Sequence, residues 1–249
     1  MNMLSIIEKL QGRSNEERKE LICEVLGGMG VRYRRQCYAT GENIFVPSDR
    51  IREIGVGSHF DVVEGSPGAN DNGSAVAVTL DLIERFQQNP PKHIGVQYFF
   101  FDEEELTTSG DYEGYLKGSR AYLEANPPEG YLGLIDTIGL YNMELVGSGD
   151  MIALWLVGKN ATGPLLESLE RSAKNASIPV HRIPNVVTHT ADHIAFQEVG
   201  VKESFTITTV AEGDMQTYQE YLRAQAEGEP FEVFQAIVQQ SLELSLRAL

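Results

Sequence analysis

The chain is short of the residues that would place it in several specialised classes. Only two of its 249 residues are cysteines, Cys23 and Cys37, and no CxxC pair occurs. A disulfide framework and a cysteine zinc site are therefore both excluded, and two buried thiols in a reducing compartment are expected instead. No apolar run approaches the ~18 residues that a membrane span needs. The opening segment, MNMLSIIEKLQGRSNEER, turns polar and charged early and has no basic stretch followed by a long apolar one. No secretory signal is expected there, which makes a cytoplasmic protein the expectation. Basic residues are also scarce: 20 Lys and Arg stand against 36 Asp and Glu, a formal charge of −16. A field of that sign repels phosphates, so nucleic acid and anionic membranes are poor partners. It suits cationic substrates or multivalent metal ions.

What is present is an ordinary globular composition, 42% hydrophobic and 22% charged, with no repeat, low-complexity tract or linker. Length and continuity predict one domain over residues 1–249. Ser14 and Glu17 have capping-box spacing ahead of a helix that ends at Gly27-Gly28. Val31 to Thr40 and Asn43 to Val46 read as a hairpin, and Arg52 to Gly57 as a strand ending near His59. Asp71 to Gln88 reads as a helix, and Ile94 to Phe101 as a strand buried on both faces. Downstream, strands are expected at Tyr131 to Asp136, Met151 to Val157, Ile178 to Ile183 and Ser204 to Val210. Helices are expected at Ser119 to Glu124, Thr162 to Lys174, Ala191 to Glu198 and Phe231 to Ala248. Alternating strands and helices predict an α/β fold, three-layer α/β/α with a mixed, mostly parallel central sheet.

In such sheets ligands sit outside the carboxyl ends of the strands. The residues read at those ends are His59 and Asp61, Glu103 to Glu105, and Asp136, with Asp71 opening a helix after a Gly- and Pro-containing loop. Each alone has a bland explanation. An isolated acidic triplet is usually a solvated turn, Asp71 could be a helix cap, and His59 a hydrogen-bonded rim residue. Together, and in this order, they carry more.

The set His59-Phe60-Asp61, Asn70-Asp71-Asn72-Gly73, Glu104-Glu105, Gly118-Ser119-Arg120 and Asp136-Thr137 resembles the zinc-dependent aminopeptidase family of the bacterial leucyl aminopeptidases. That family shares its fold with the glutaminyl cyclases. Ala191-Asp192-His193 and Gly200-Val201 extend the likeness. The resemblance implies that Asp71 bridges two metal ions, with His59 and Asp136 completing one site and Glu105 serving the other. It implies that Asp61 orients His59 from behind. Glu104 would be the general base, passing a proton from a metal-activated water to the leaving amine. The implied cofactor is zinc, one or two ions per chain, and the implied substrate a peptide or aminoacyl amide. Asn70 and Asn72 read as turn and backbone-positioning residues.

Two features depart from the family. Its last ligand, a histidine in a C-terminal His-Thr segment, has no counterpart, since none of the five histidines lies beyond His193. Glu212 or Asp214 could donate an oxygen instead, and upstream His189-Thr190 only imitates the motif. The stretch Thr107 to Lys117 is also longer than the family's and adjoins the expected base. Three functions follow. An aminopeptidase-like hydrolase fits the residues best. A glutaminyl-cyclase-like acyltransferase would leave His59 idle and need the missing histidine. A non-catalytic metal-binding relative would follow if one lost ligand meant a lost activity.

Overall fold

The computed structural model describes residues 1–50, 52–105, 114–126, 136–156, 163–183, 191–201 and 203–211. The expected helix at Phe231 to Ala248, most of the Thr107 to Lys117 stretch, His189, Glu212 and Asp214 lie outside them. In chain order the elements are α1 (Met3–Leu10), α2 (Asn15–Gly28), β1 (Arg34–Cys37), β2 (Glu42–Val46), β3 (Arg52–His59), α3 (Ala75–Gln88) and β4 (Gly95–Phe101). Then come α4 (Lys117–Ala125), β5 (Asp136–Met143), β6 (Met151–Trp155), α5 (Pro164–Asn175), β7 (Val180–Ile183), α6 (His193–Glu198) and β8 (Glu203–Val210). The Ser14–Glu17 capping box forms as expected, each partner satisfying the other's free amide, a motif worth ~1 kcal/mol. No described helix is long and apolar enough to cross a membrane.

One eight-stranded sheet runs β1-β2-β4-β3-β5-β8-β6-β7. Its centre, β4-β3-β5-β8, is parallel throughout, while β1-β2, β2-β4 and β8-β6 are antiparallel. The apolar run of β4 shows why both faces must be covered. Tyr98 and Phe100 enter the core formed with α1, α2 and α3, whereas Phe99 and Phe101 enter the one formed with α4 and α6. Helices on both faces give the three layers. The outer strands differ from this centre: β1 is largely exposed and carries Arg34 and Arg35, and β7 exposes His181 and Arg182. Both cysteines are free; Cys23 is buried, but Cys37 is exposed on edge strand β1, against the expectation of two buried thiols.

The strand register sets the level of the functional rim. His59 pairs with Phe101 at the carboxyl ends of β3 and β4, and Gly57 pairs with Asn142 near the end of β5. The residues after these ends therefore meet at one edge of the sheet. Asp136 does not. It pairs with Arg52, at the first residue of β3. Seven residues of strand separate that level from His59, roughly 23 Å at ~3.3 Å per residue.

Residues 131–135 of the expected strand lie outside the described residues; the described strand β5 runs from Asp136 to Met143, so Asp136 is not at its carboxyl end. Gly139 lies inside β5, and no larger residue fits there, because a Cβ would stand 2.2 Å from the Glu203 carbonyl oxygen and 2.6 Å from Leu165 Cδ1. Glycine is what lets β8 and α5 close on β5. Gly139→Val should therefore cost ~2 kcal/mol or more of stability through overpacking, read as a lower urea midpoint. A wild-type midpoint would show that the strands can part without penalty.

Candidate functional site

The site begins where β3 runs out. His59 is the last residue of the strand and is almost fully buried, and the chain then turns so that Asp61 lies behind its ring. His59 Nδ1 is 3.2 Å from the Asp61 carbonyl and 3.3 Å from its Oδ1. This leaves Nε2 facing the carboxylates, 3.3 Å from Asp71 Oδ1 and 4.0 Å from Glu104 Oε2. Asp61 has a second task. Its Oδ1 accepts the amide of Glu104 at 3.1 Å and its Oδ2 that of Glu105 at 3.0 Å. One carboxylate thus orients the imidazole and fixes the start of the acidic turn after β4.

Asp71 lies in a kinked turn, Ala69–Ser74, ahead of α3, where Asp71 and Asn72 leave helical geometry. The flanking side chains lace this turn to the loop that follows β5. Asn72 donates to the Met143 carbonyl at 2.9 Å and accepts the Leu145 amide at 3.3 Å, gripping the backbone on both sides of Glu144. Asn70 accepts the Gly147 amide at 2.8 Å, and Ser74 the Val146 amide at 3.1 Å. Asn70 and Asn72 therefore position backbone, as their sequence context suggested. Glu144 itself receives a bond from Asn142 Nδ2 at 3.3 Å, and the same amide reaches Thr206, whose hydroxyl meets His193 Nδ1 at 2.8 Å.

The structure brings His59, Asp61, Asp71, Glu104 and Glu105 together and leaves Asp136 at the far end of β5. The acidic residue that β5 does deliver is Glu144, the first carboxylate past its end. Its signal was present in the sequence, but only for a strand running from Asp136 to Met143. Asp192, buried at the start of α6, is a further carboxylate turned toward this charge cluster.

Two overlapping groups could hold a metal ion: His59, Asp71 and Glu105, and His59, Glu104 and Glu144. In each, one donor atom per residue lies within 4.8 Å of the others. One imidazole nitrogen with carboxylate oxygens is a donor set that zinc accepts, and its oxygen content also suits harder divalent ions. The titration behaviour points the same way. Burial pushes the Glu104 carboxyl well above its usual range; His59 opposes this, while Glu144, Asp192 and Asp61 add to it. Burial likewise lifts Glu105 to about 7 against the pull of His59, with Asp71 and Asp61 contributing. Burial alone would discharge His59, but Glu104, Asp61 and Asp71 outweigh it and hold the imidazolium well above its ordinary range. Without a cation, the site retains protons to offset its own repulsion.

Residues 44–222 match the sequence profile of Peptidase family M28. A Vacuolar membrane protease of Schizosaccharomyces japonicus is 35% identical over 91 residues, 35% of this chain and 10% of that protein. The match thus spans about a tenth of the relative's length. Among solved structures, a glutaminyl cyclase of Porphyromonas gingivalis superposes with a TM-score of 0.67 at 17% identity, covering 85% of this chain and 83% of its own. A leucine aminopeptidase precursor of Bacteroides thetaiotaomicron gives 0.61 at 19%, covering 82% and 81%. The zinc aminopeptidase BSAP of Bacillus subtilis gives 0.53 at 21%, covering 68% and 40%. At these identities the superpositions establish the fold alone.

The retained protons make a pH signature. Groups whose folded pKa lies above the unfolded value bind more protons when folded, so their stabilising contribution is present at low pH and lost as pH rises through the folded pKa. Glu105, lifted to about 7, and Glu104 and His59, both lifted well above their ordinary values, share that sign. The melting temperature of chelator-treated protein should fall between pH 5 and 8, and saturating zinc should flatten the slope while releasing protons. Equal slopes with and without zinc would contradict the assignment.

Proposed function

The chain belongs to Peptidase family M28, and from that premise we propose that it is a metal-dependent aminopeptidase-type hydrolase that removes N-terminal residues from peptides. The observation that carries this reading is His59, whose single free nitrogen is common to both donor groups. A glutaminyl-cyclase-like role would leave that imidazole unused.

Asp71, Glu105, Glu144 and His59 are the residues that would hold zinc, one or two ions per chain. Bound there, the metal would polarise the scissile carbonyl and lower the pKa of water. The remaining work falls to this chain's own groups. Glu104 acts as general base: it is buried, burial raises its carboxyl above the ordinary range, and its main chain is pinned by Asp61. A base of that kind takes a proton from water and returns it to the departing amine. Asp61 keeps Nδ1 of His59 engaged, so that Nε2 is the donor. Asp71, with its side chain 48% exposed, forms the open lip of the site, whereas His59 at 2% forms its floor. The surplus of carboxylates supplies attraction for a substrate α-ammonium.

Exhaustive chelation should abolish hydrolysis of aminoacyl amides, and zinc or another divalent ion should restore it. Undiminished turnover after verified metal removal would end the metallohydrolase reading. Glu104→Gln should keep its metal and lose at least ~10²-fold in rate. Glu144→Ala should lose metal, while Asp136→Ala should match wild type in metal content by elemental analysis. The reverse pattern for the last two would restore Asp136 to the site.

A further inference from the structure

Arg18 is fully buried in a helix that contributes no residue to the donor groups. Most of its hydrogen bonds go to the loop that joins His59 to Asp71. The guanidinium donates through Nε to the Phe60 carbonyl and through Nη1 to the Gly68 carbonyl at 3.1 Å and the Leu10 carbonyl at 3.3 Å. Phe60 lies between His59 and Asp61, and Gly68 three residues before Asp71. The Gly68 carbonyl also accepts the Gly73 amide at 3.0 Å, which closes the kinked turn around Asp71.

The loop is shaped to admit this side chain. A Cβ at Gly68 would stand 2.6 Å from Arg18 Nη1, and one at Gly73 would stand 2.7 Å from the Gly68 carbonyl oxygen. The same corner between α1 and α2 makes two further ties to the loop. Asn15 Oδ1 accepts the Val62 amide at 3.0 Å, and the Gly12 amide donates to the Pro67 carbonyl at 2.9 Å. Burial draws the Arg18 guanidinium down to about 10, still far above neutrality, with Asp61 and Asp71 sustaining its charge. Arg18 also precedes residues 44–222, the segment shared with the family.

We propose that Arg18 is a positioning residue of the metal site: by holding the Phe60 and Gly68 carbonyls on one rigid guanidinium, it sets the separation of His59 from Asp71. Main-chain carbonyls buried beside a fixed cation have their acceptor needs met, and the planar fork fixes their relative direction in a way a lysine cannot. A loop of this length would otherwise sample many separations, and donor atoms must be held closely for a metal site to be preorganised. The inference rests on the metallohydrolase reading for its purpose, though not for its geometry.

The test compares wild type with Arg18→Met, Arg18→Lys and Leu26→Ala, the last removing a fully buried side chain from the same helix, away from the site. Zinc affinity is measured by chelator competition. Amide hydrogen exchange is followed over residues 60–74 in the metal-free proteins. We expect Arg18→Met to bind zinc at least tenfold more weakly than Leu26→Ala, and to exchange faster across 60–74 with β3 and β4 unchanged. Arg18→Lys should fall between Arg18→Met and wild type, and carries the comparison if the methionine variant does not fold. Equal zinc affinity in Arg18→Met and Leu26→Ala, with exchange raised evenly across the protein, would overturn the proposal. If wild type binds no zinc, the metallohydrolase reading fails, and the exchange pattern alone decides whether Arg18 positions the loop.

Discussion

The coupling of His59 to the acidic turn at the heart of the site depends on the double engagement of one buried carboxylate, Asp61. It faces His59 Nδ1 on one side and accepts the amides of Glu104 and Glu105 on the other. These residues come from the ends of β3 and β4, which are adjacent and parallel, so the carboxylate bridges two strand ends that the sheet has already brought level. Charge-assisted bonds to a carboxylate are stronger than neutral ones, and in a buried setting they lose little to solvent. Removing this one group would free the imidazole to rotate and would release the acidic turn together. The third strand end, that of β5, is secured separately, by Asn70, Asn72 and Ser74 reaching across to the loop around Glu144.

Much of this was legible in the sequence, for identifiable reasons. β3 and β4 are apolar runs with a ligand-type residue directly after them, so His59, Asp61, Glu104 and Glu105 could be located from pattern alone. Asp71 was legible as the residue following a Gly- and Pro-containing loop ahead of a helix. Asp136 was placed at the rim because it follows an apolar run and fits the family's order, whereas in the structure it is the first residue of β5. With a strand end read at Asp136, Glu144 fell outside the search. Arg18 was invisible for a different reason. It lies in the run NEERKE, which by composition is a solvated helix face, and only tertiary contact shows that its guanidinium is inside. Helix α1 was also unforeseen, since that short opening segment was weighed only as a targeting signal.

The site concentrates repulsion. Glu104, Glu105 and Asp192 are all pushed upward in pKa, burial being the leading cause for each and neighbouring carboxylates adding to it. Folding alone would not gather such groups, because each desolvated carboxylate opposes compaction unless it is protonated or paired. The arrangement becomes favourable once a multivalent cation takes the place of the retained protons. The overall charge of −16 extends this logic from the site to the whole surface.

The scarcity of positive charge gives the two outer strands a meaning of their own. Among the described residues the sheet ends in β1 on one side and β7 on the other. An outermost strand has unsatisfied main-chain groups that can recruit a strand from another molecule, the first step of ordered aggregation. In a chain with only 20 lysines and arginines, β1 carries Arg34 and Arg35 and β7 carries Arg182 beside His181. Arg35 is engaged by Glu42 and Glu20, and Arg182 by Glu170, so an approaching strand would meet ion-paired side chains that must be displaced before main-chain pairing. Three of the 20 lysines and arginines thus stand on the two outermost described strands, where long charged side chains oppose edge-to-edge pairing.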